Sequence, residues 1–90
     1  MERLNVGDII QHFKRETLEN PGNRYLYEIK DIATHTETKE KLVIYKALYS
    51  DKDMGVDFGV YARPYDMFMS VVDSEKYPQI KSLYRFTKWS

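Results

Sequence analysis

From Leu42 to Tyr49 the chain reads Leu-Val-Ile-Tyr-Lys-Ala-Leu-Tyr, and Lys46 is its only charged residue. Val43, Tyr45, Ala47 and Tyr49 alternate with Leu42, Ile44, Lys46 and Leu48, so both faces of an extended segment over Leu42 to Ser50 are largely apolar. That pattern predicts the central strand of a sheet, covered on both sides. A chain holding such a strand must pair it on either edge, and the rest of the sequence supplies candidates.

Upstream, Val6-Gly7-Asp8 predicts a turn into a first strand over Ile9 to Lys14, and Asn20-Pro21-Gly22-Asn23 is the clearest turn cluster. Tyr25, Tyr27 and Ile29 share one face of a second strand running to Thr34, but Leu26, Ile32 and Ala33 break that phase. The break predicts a bulge near Lys30-Asp31. The charged link Thr36 to Lys41 joins this strand to the next as a hairpin. Downstream, Ser50 to Gly55 predicts a turn and Val56 to Arg63 a further strand, stopped by Pro64. Proline suits the first turn of a helix, so Pro64 to Phe68 predicts a single helical turn closing one end. Met69 to Asp73 predicts a short strand, Ser74 to Tyr77 a turn, and the alternation of Leu83 to Trp89 a final strand at the sheet edge. No segment carries a long 3.6-residue apolar stripe. The expected fold class is mainly β: a compact barrel of about five strands with one short helical turn, with residues 1–90 forming a single domain.

In order and spacing, His12-Phe13-Lys14, Ala33-Thr34-His35-Thr36-Glu37-Thr38, Val43 to Tyr49, Arg63-Pro64-Tyr65-Asp66-Met67-Phe68 and Tyr84-Arg85-Phe86 resemble the small bacterial family DUF1653. The resemblance runs from about Gly7 to Phe86. It implies an SH3-like barrel and no assigned activity. The sequence departs from the family pattern twice. The link from Arg15 to Arg24 is longer than the usual turn, and Tyr61-Ala62 stands where a tryptophan often precedes Val-Arg-Pro.

Function is constrained mostly by exclusion. Lys plus Arg number 14 and Asp plus Glu number 14, so net charge gives no support to nucleic-acid or anionic-membrane binding. There is no cysteine, which removes disulfides, zinc-thiolate sites and thiol catalysis and fits a reducing, cytoplasmic setting. The N-terminus has no apolar core of a signal peptide, and the longest apolar run is four residues, Leu42 to Tyr45. No serine lies in a Gly-x-Ser-x-Gly elbow and no glycine-rich phosphate loop is present. Asp51 and Asp53 begin like a calcium loop, but Ala62 stands at the twelfth position where glutamate is required. No metal or cofactor is expected.

The aromatic content is the positive signal: eight tyrosines, four phenylalanines and one tryptophan. Small β-barrels use aromatics to fill a core or to line a groove for an extended peptide or single-stranded nucleic acid. Tyr45, Tyr49 and Tyr61 fall on neighbouring strands, with Lys46 and Arg63 close in sequence. Together they predict an aromatic and basic binding face for a peptide, a protein or nucleic acid. Set against this is the ordinary use of such tyrosines to cap a core with the hydroxyl at its rim. Arg63 has a bland role as well, locking the end turn beside Asp66. His35 and Glu37 share one side of a strand end. Either they close a hairpin edge or, with Tyr45, they line a shallow catalytic pocket. A third reading leaves the Leu83 to Trp89 edge open for homodimerisation, so the chain is expected as a monomer or homodimer.

Overall fold

The structure is a computed structural model describing residues 3–89. Seven strands form in chain order: β1 (Ile9–His12), β2 (Leu26–Thr34), β3 (Lys41–Ala47), β4 (Ser50–Asp51), β5 (Val56–Asp57), β6 (Val60–Pro64) and β7 (Phe86–Lys88). One α-helical turn, α1 (Tyr65–Phe68), follows β6. Five strands make one antiparallel sheet in the order β6-β3-β2-β1-β7, and β4 with β5 forms a separate small hairpin. The fold is mainly β with one short helix, as its residue pattern predicts. The two end strands of the large sheet do not pair with each other, so the barrel is not closed.

The centre of the sheet is β2, not β3. β3 is an interior strand between β2 and β6, and its two faces differ. Val43, Tyr45 and Ala47 are buried in the core, with Tyr49 just beyond the strand, whereas Leu42, Ile44, Lys46 and Leu48 are only half-buried. The β2–β3 hairpin slips register between Ile29 and Asp31. Tyr27 and Ile29 face the core before the slip; after it Ile32 lies opposite buried Val43. The phase break in the sequence is thus the bulge, which lets one strand serve one core through an odd spacing.

Several predicted strands are shorter than the alternation suggests; the one expected to run to Ser50 ends at Ala47. The first ends at His12, because Phe13–Thr17 coils into a 3₁₀ turn whose start is capped by the His12 ring nitrogen accepting from the Lys14 N–H. The predicted Val56 to Arg63 strand is broken at Phe58, which sits at φ 50 and turns the chain between β5 and β6. The last strand begins at Phe86, not Leu83. The predicted strand at Met69 to Asp73 reduces to a single bridge, Val71 to Tyr84. Backbone bonds from Val72 N–H to Leu83 and from Arg85 N–H to Ser70 close this loop, and the Glu16 carboxylate accepts from the Lys81 and Ser82 amides at 2.6 and 3.1 Å.

The core lies on one face of the five-stranded sheet. Leu4, Ile10, Ile29, Val43, Phe68 and Phe86 are essentially inaccessible, each worth roughly 1.5–3 kcal/mol of burial. Phe68 on α1 stacks on Phe86 of β7 at 4.2 Å between ring centroids, so the helix bridges towards the far end strand. The helical turn forms where it is predicted but starts one residue later: Pro64 is the last residue of β6 and caps α1 from outside with an extended ψ of 137, and Tyr65 is the first helical residue.

Candidate functional site

Four of the residues that the sequence marks for a binding face line one depression. Tyr45 of β3, Tyr49 just beyond it, and Tyr61 and Arg63 of β6 are joined there by Tyr27 of β2. The opposite wall is Met54 to Val56, from the β4–β5 hairpin, and the space is about 250 Å³. Register explains the convergence. Tyr45 pairs directly with both Ile29 and Tyr61, and Tyr27 pairs with Ala47, two residues along from Tyr45. Residues two apart share a face, so these side chains all project to the core side.

The rings belong to the core. Tyr27 packs edge-on against Tyr45 at 5.3 Å and against Tyr49 at 5.7 Å, while Tyr45 packs edge-on against Phe68 at 5.2 Å. Tyr45 is 6% exposed and Tyr49 4%. Their hydroxyls are the polar ends. The Tyr27 and Tyr49 hydroxyls are 2.9 Å apart, and the Arg63 Nε–H donates to the Tyr45 hydroxyl at 3.3 Å. Burial first, and then the bond to Tyr49, pushes the Tyr27 phenol far above its ordinary pKa; burial also raises that of Tyr49. Both phenols therefore stay protonated across the ordinary pH range.

Tyr61 is more open and lies over Gly59. Its ring folds back along the strand, and a Cβ on Gly59 would fall 2.9 Å from the Tyr61 hydroxyl. No side chain larger than hydrogen fits there without moving the ring.

Lys46 does not join this site. It follows Tyr45 on β3, faces the other side of the sheet, and lies in register with Glu28 and Val60. His35 and Glu37 are elsewhere too. They occupy the β2–β3 turn, where the His35 ring nitrogen accepts from the Glu37 and Thr38 amides at 3.2 and 3.3 Å. Ile29, the partner of Tyr45, is six residues from His35 along β2, about 20 Å at the usual rise per residue. The pocket of His35, Glu37 and Tyr45 is therefore not assembled, and His35 closes the hairpin edge.

Tyr27 and Met54 to Val56 are additions to the lining residues marked from sequence, while His12 and Arg85 lie outside the lining. His12, on the core-facing side of β1, sits 5.1 Å edge-on from Phe86 and 5.6 Å from the Tyr25 ring. Burial, then the charges of Arg63, Arg85 and Lys14, lower its pKa from 6.5 to about 3. Arg85 holds the loop end by donating to the Ser70 hydroxyl at 3.2 Å. Tyr27 was findable, since its period-two match with Ile29 and the hairpin pairing place it opposite the β3 tyrosines. Nothing local marks Met54 to Val56, which arrive through long-range packing. Among the described residues no group of three or more His, Asp or Glu could hold a metal ion, and no helix is long and apolar enough to cross a membrane.

A family model described as a protein of unknown function, DUF1653, matches residues 8–88. No curated protein and no solved structure matches the sequence significantly. The matched span runs from the residue before β1 to the end of β7 and takes in the bulge, the tyrosine depression and the closing helix, and on that match the chain belongs to the DUF1653 family.

Proposed function

We propose that the chain is a binding module that takes a segment of a peptide or protein partner in the depression between β6 and the β4–β5 hairpin. The observation that carries this reading is the meeting of Tyr45, Tyr49, Tyr61 and Arg63 around one open space, with no carboxylate in its lining. The size supports a side chain as occupant. Sites that enclose a drug-sized molecule run to roughly 300–1,000 Å³, and this one is about 250 Å³. Half-exposed Met54 supplies an apolar wall beside the polar hydroxyls, a mixture suited to a peptide backbone and its side chains.

Peptide recognition is favoured over single-stranded nucleic acid by the use of the rings. Bases stack on free aromatic faces, whereas Tyr27, Tyr45 and Tyr49 are buried in mutual edge-to-face packing. A larger depression beside α1, lined by Glu40, Lys41, Pro64, Tyr65, Asp66 and Met67, offers charges of both signs and no converging set of donors.

Panning a random displayed-peptide library on the whole chain tests the reading. Selected peptides are expected to lose most of their affinity for Gly59→Ala and Tyr61→Ala. Selected peptides that bind both variants as well as the parent would place recognition elsewhere and refute it.

A further inference from the structure

Resting on that docking reading, we infer that the group recognised is the carboxylate of a Glu or Asp side chain in an extended segment of the partner. The polar atoms of the depression are almost all donors with protons to spare. The Tyr45 hydroxyl accepts from Arg63 Nε, so its own proton is free for an acceptor in the cleft. The Tyr27 and Tyr49 hydroxyls share one hydrogen bond, which uses one of their two protons. Arg63 has spent one of its five N–H groups on Tyr45; the rest have no hydrogen-bond partner among the described residues.

The charge is equally unbalanced. Ion pairs among the described residues use Arg24, Lys30 and Lys88, and none involves Arg63, the one charged residue of the lining. The lining of the depression thus carries one positive charge, that of Arg63, and no carboxylate among its residues. An acceptor-only group carrying one negative charge completes this array, and a carboxylate is that group. A phosphorylated side chain fits less well, because such sites gather several arginines and this lining holds Arg63 alone. The partner's own carboxylate terminus is set aside in favour of a side chain, because an open cleft bounded by the exposed Met54 lets a chain run through it.

The test uses the isotope-labelled full chain and two end-capped pentapeptide pools, acetylated and amidated, identical except for Glu or Gln at the central position. The signals followed are the Arg63 Nε–H and the amides of Tyr45 and Tyr61. The Glu pool is expected to shift them saturably, and the Gln pool to bind at least about tenfold more weakly, as for loss of a charge-assisted hydrogen bond. Arg63→Gln should erase that difference between pools, and Arg63→Lys should keep part of it. Tyr45→Phe, which leaves the core ring in place, should weaken the Glu pool selectively. Equal shifts from both pools would overturn the carboxylate inference while leaving the docking reading intact. Silence from both pools overturns the inference, and if a random single-stranded oligonucleotide then moves the same signals, peptide docking fails with it.

Discussion

Replacing His12 with asparagine should change how stability depends on pH. In the folded chain the His12 Nδ1 accepts from the Lys14 amide, so the ring is neutral and its proton sits on Nε2. Protonation would turn that acceptor into a donor facing another donor, in a half-buried position beside Arg63, Arg85 and Lys14. The folded pKa is about 3, against 6.5 for the free side chain. The unfolded chain therefore binds the extra proton between those values, and stability falls as pH drops below 6.5. Above 6.5 the contribution is fully present; it continues to be lost until the folded pKa is reached. At about 1.4 kcal/mol per pH unit, the loss by pH 4 approaches roughly 3 kcal/mol, reduced to about 2 by the solvent that reaches a half-buried ring. Asparagine keeps a short acceptor for the Lys14 amide and does not titrate. Urea unfolding of both proteins at pH 7, 6, 5 and 4 cancels the carboxylate titrations they share. The stability of the parent relative to His12→Asn should fall by about 2 kcal/mol over that series. Parallel curves, or a His12 ring that titrates near 6.5 by NMR, would refute the argument.

Phe68→Ala empties the helix side of the core, where Phe68 stacks on Phe86, and should cost about 3–5 kcal/mol in chemical denaturation. Tyr27→Phe leaves the Tyr49 hydroxyl without its partner and should cost about 1–2 kcal/mol by the same assay. Gly55→Ala meets no neighbouring atom, so its cost of about 1 kcal/mol should come wholly from the left-handed backbone at φ 70. Glu16→Ala should accelerate hydrogen exchange at the Lys81 and Ser82 amides while leaving β2 and β3 amides protected.

The strands that could be read from sequence were those whose residues decide their own environment. β3 announces itself because Val43, Tyr45 and Ala47 need a core whatever their neighbours do. The bulge at Lys30 was legible for the same reason, since Tyr27, Ile29 and Ile32 cannot all face inward in a regular strand. Strand ends were less so. Phe58 alternates with Val60 as a strand residue would, yet it adopts a positive φ to turn between β5 and β6, an override that no local propensity signals. The stretch from Met69 to Arg85 is held by Glu16, Ser70 and Leu83 through tertiary bonds, not by its own pattern. For the site, hairpin pairing was enough to bring Tyr45, Tyr49 and Tyr61 together with Arg63. Strict alternation put Lys46 on the other side, and proximity in sequence concealed that. His35 looked chemical because histidine often is; here two backbone amides already occupy its acceptor nitrogen.

Chemical-shift mapping of a library-selected peptide on the labelled chain tests the central claim most directly. The account predicts saturable shifts forming one patch over Tyr45, Val56, Tyr61 and Arg63, lost in Gly59→Ala with the remaining spectrum unchanged. A saturable patch centred on the β2–β3 turn, or on the far face around Lys46, would contradict it.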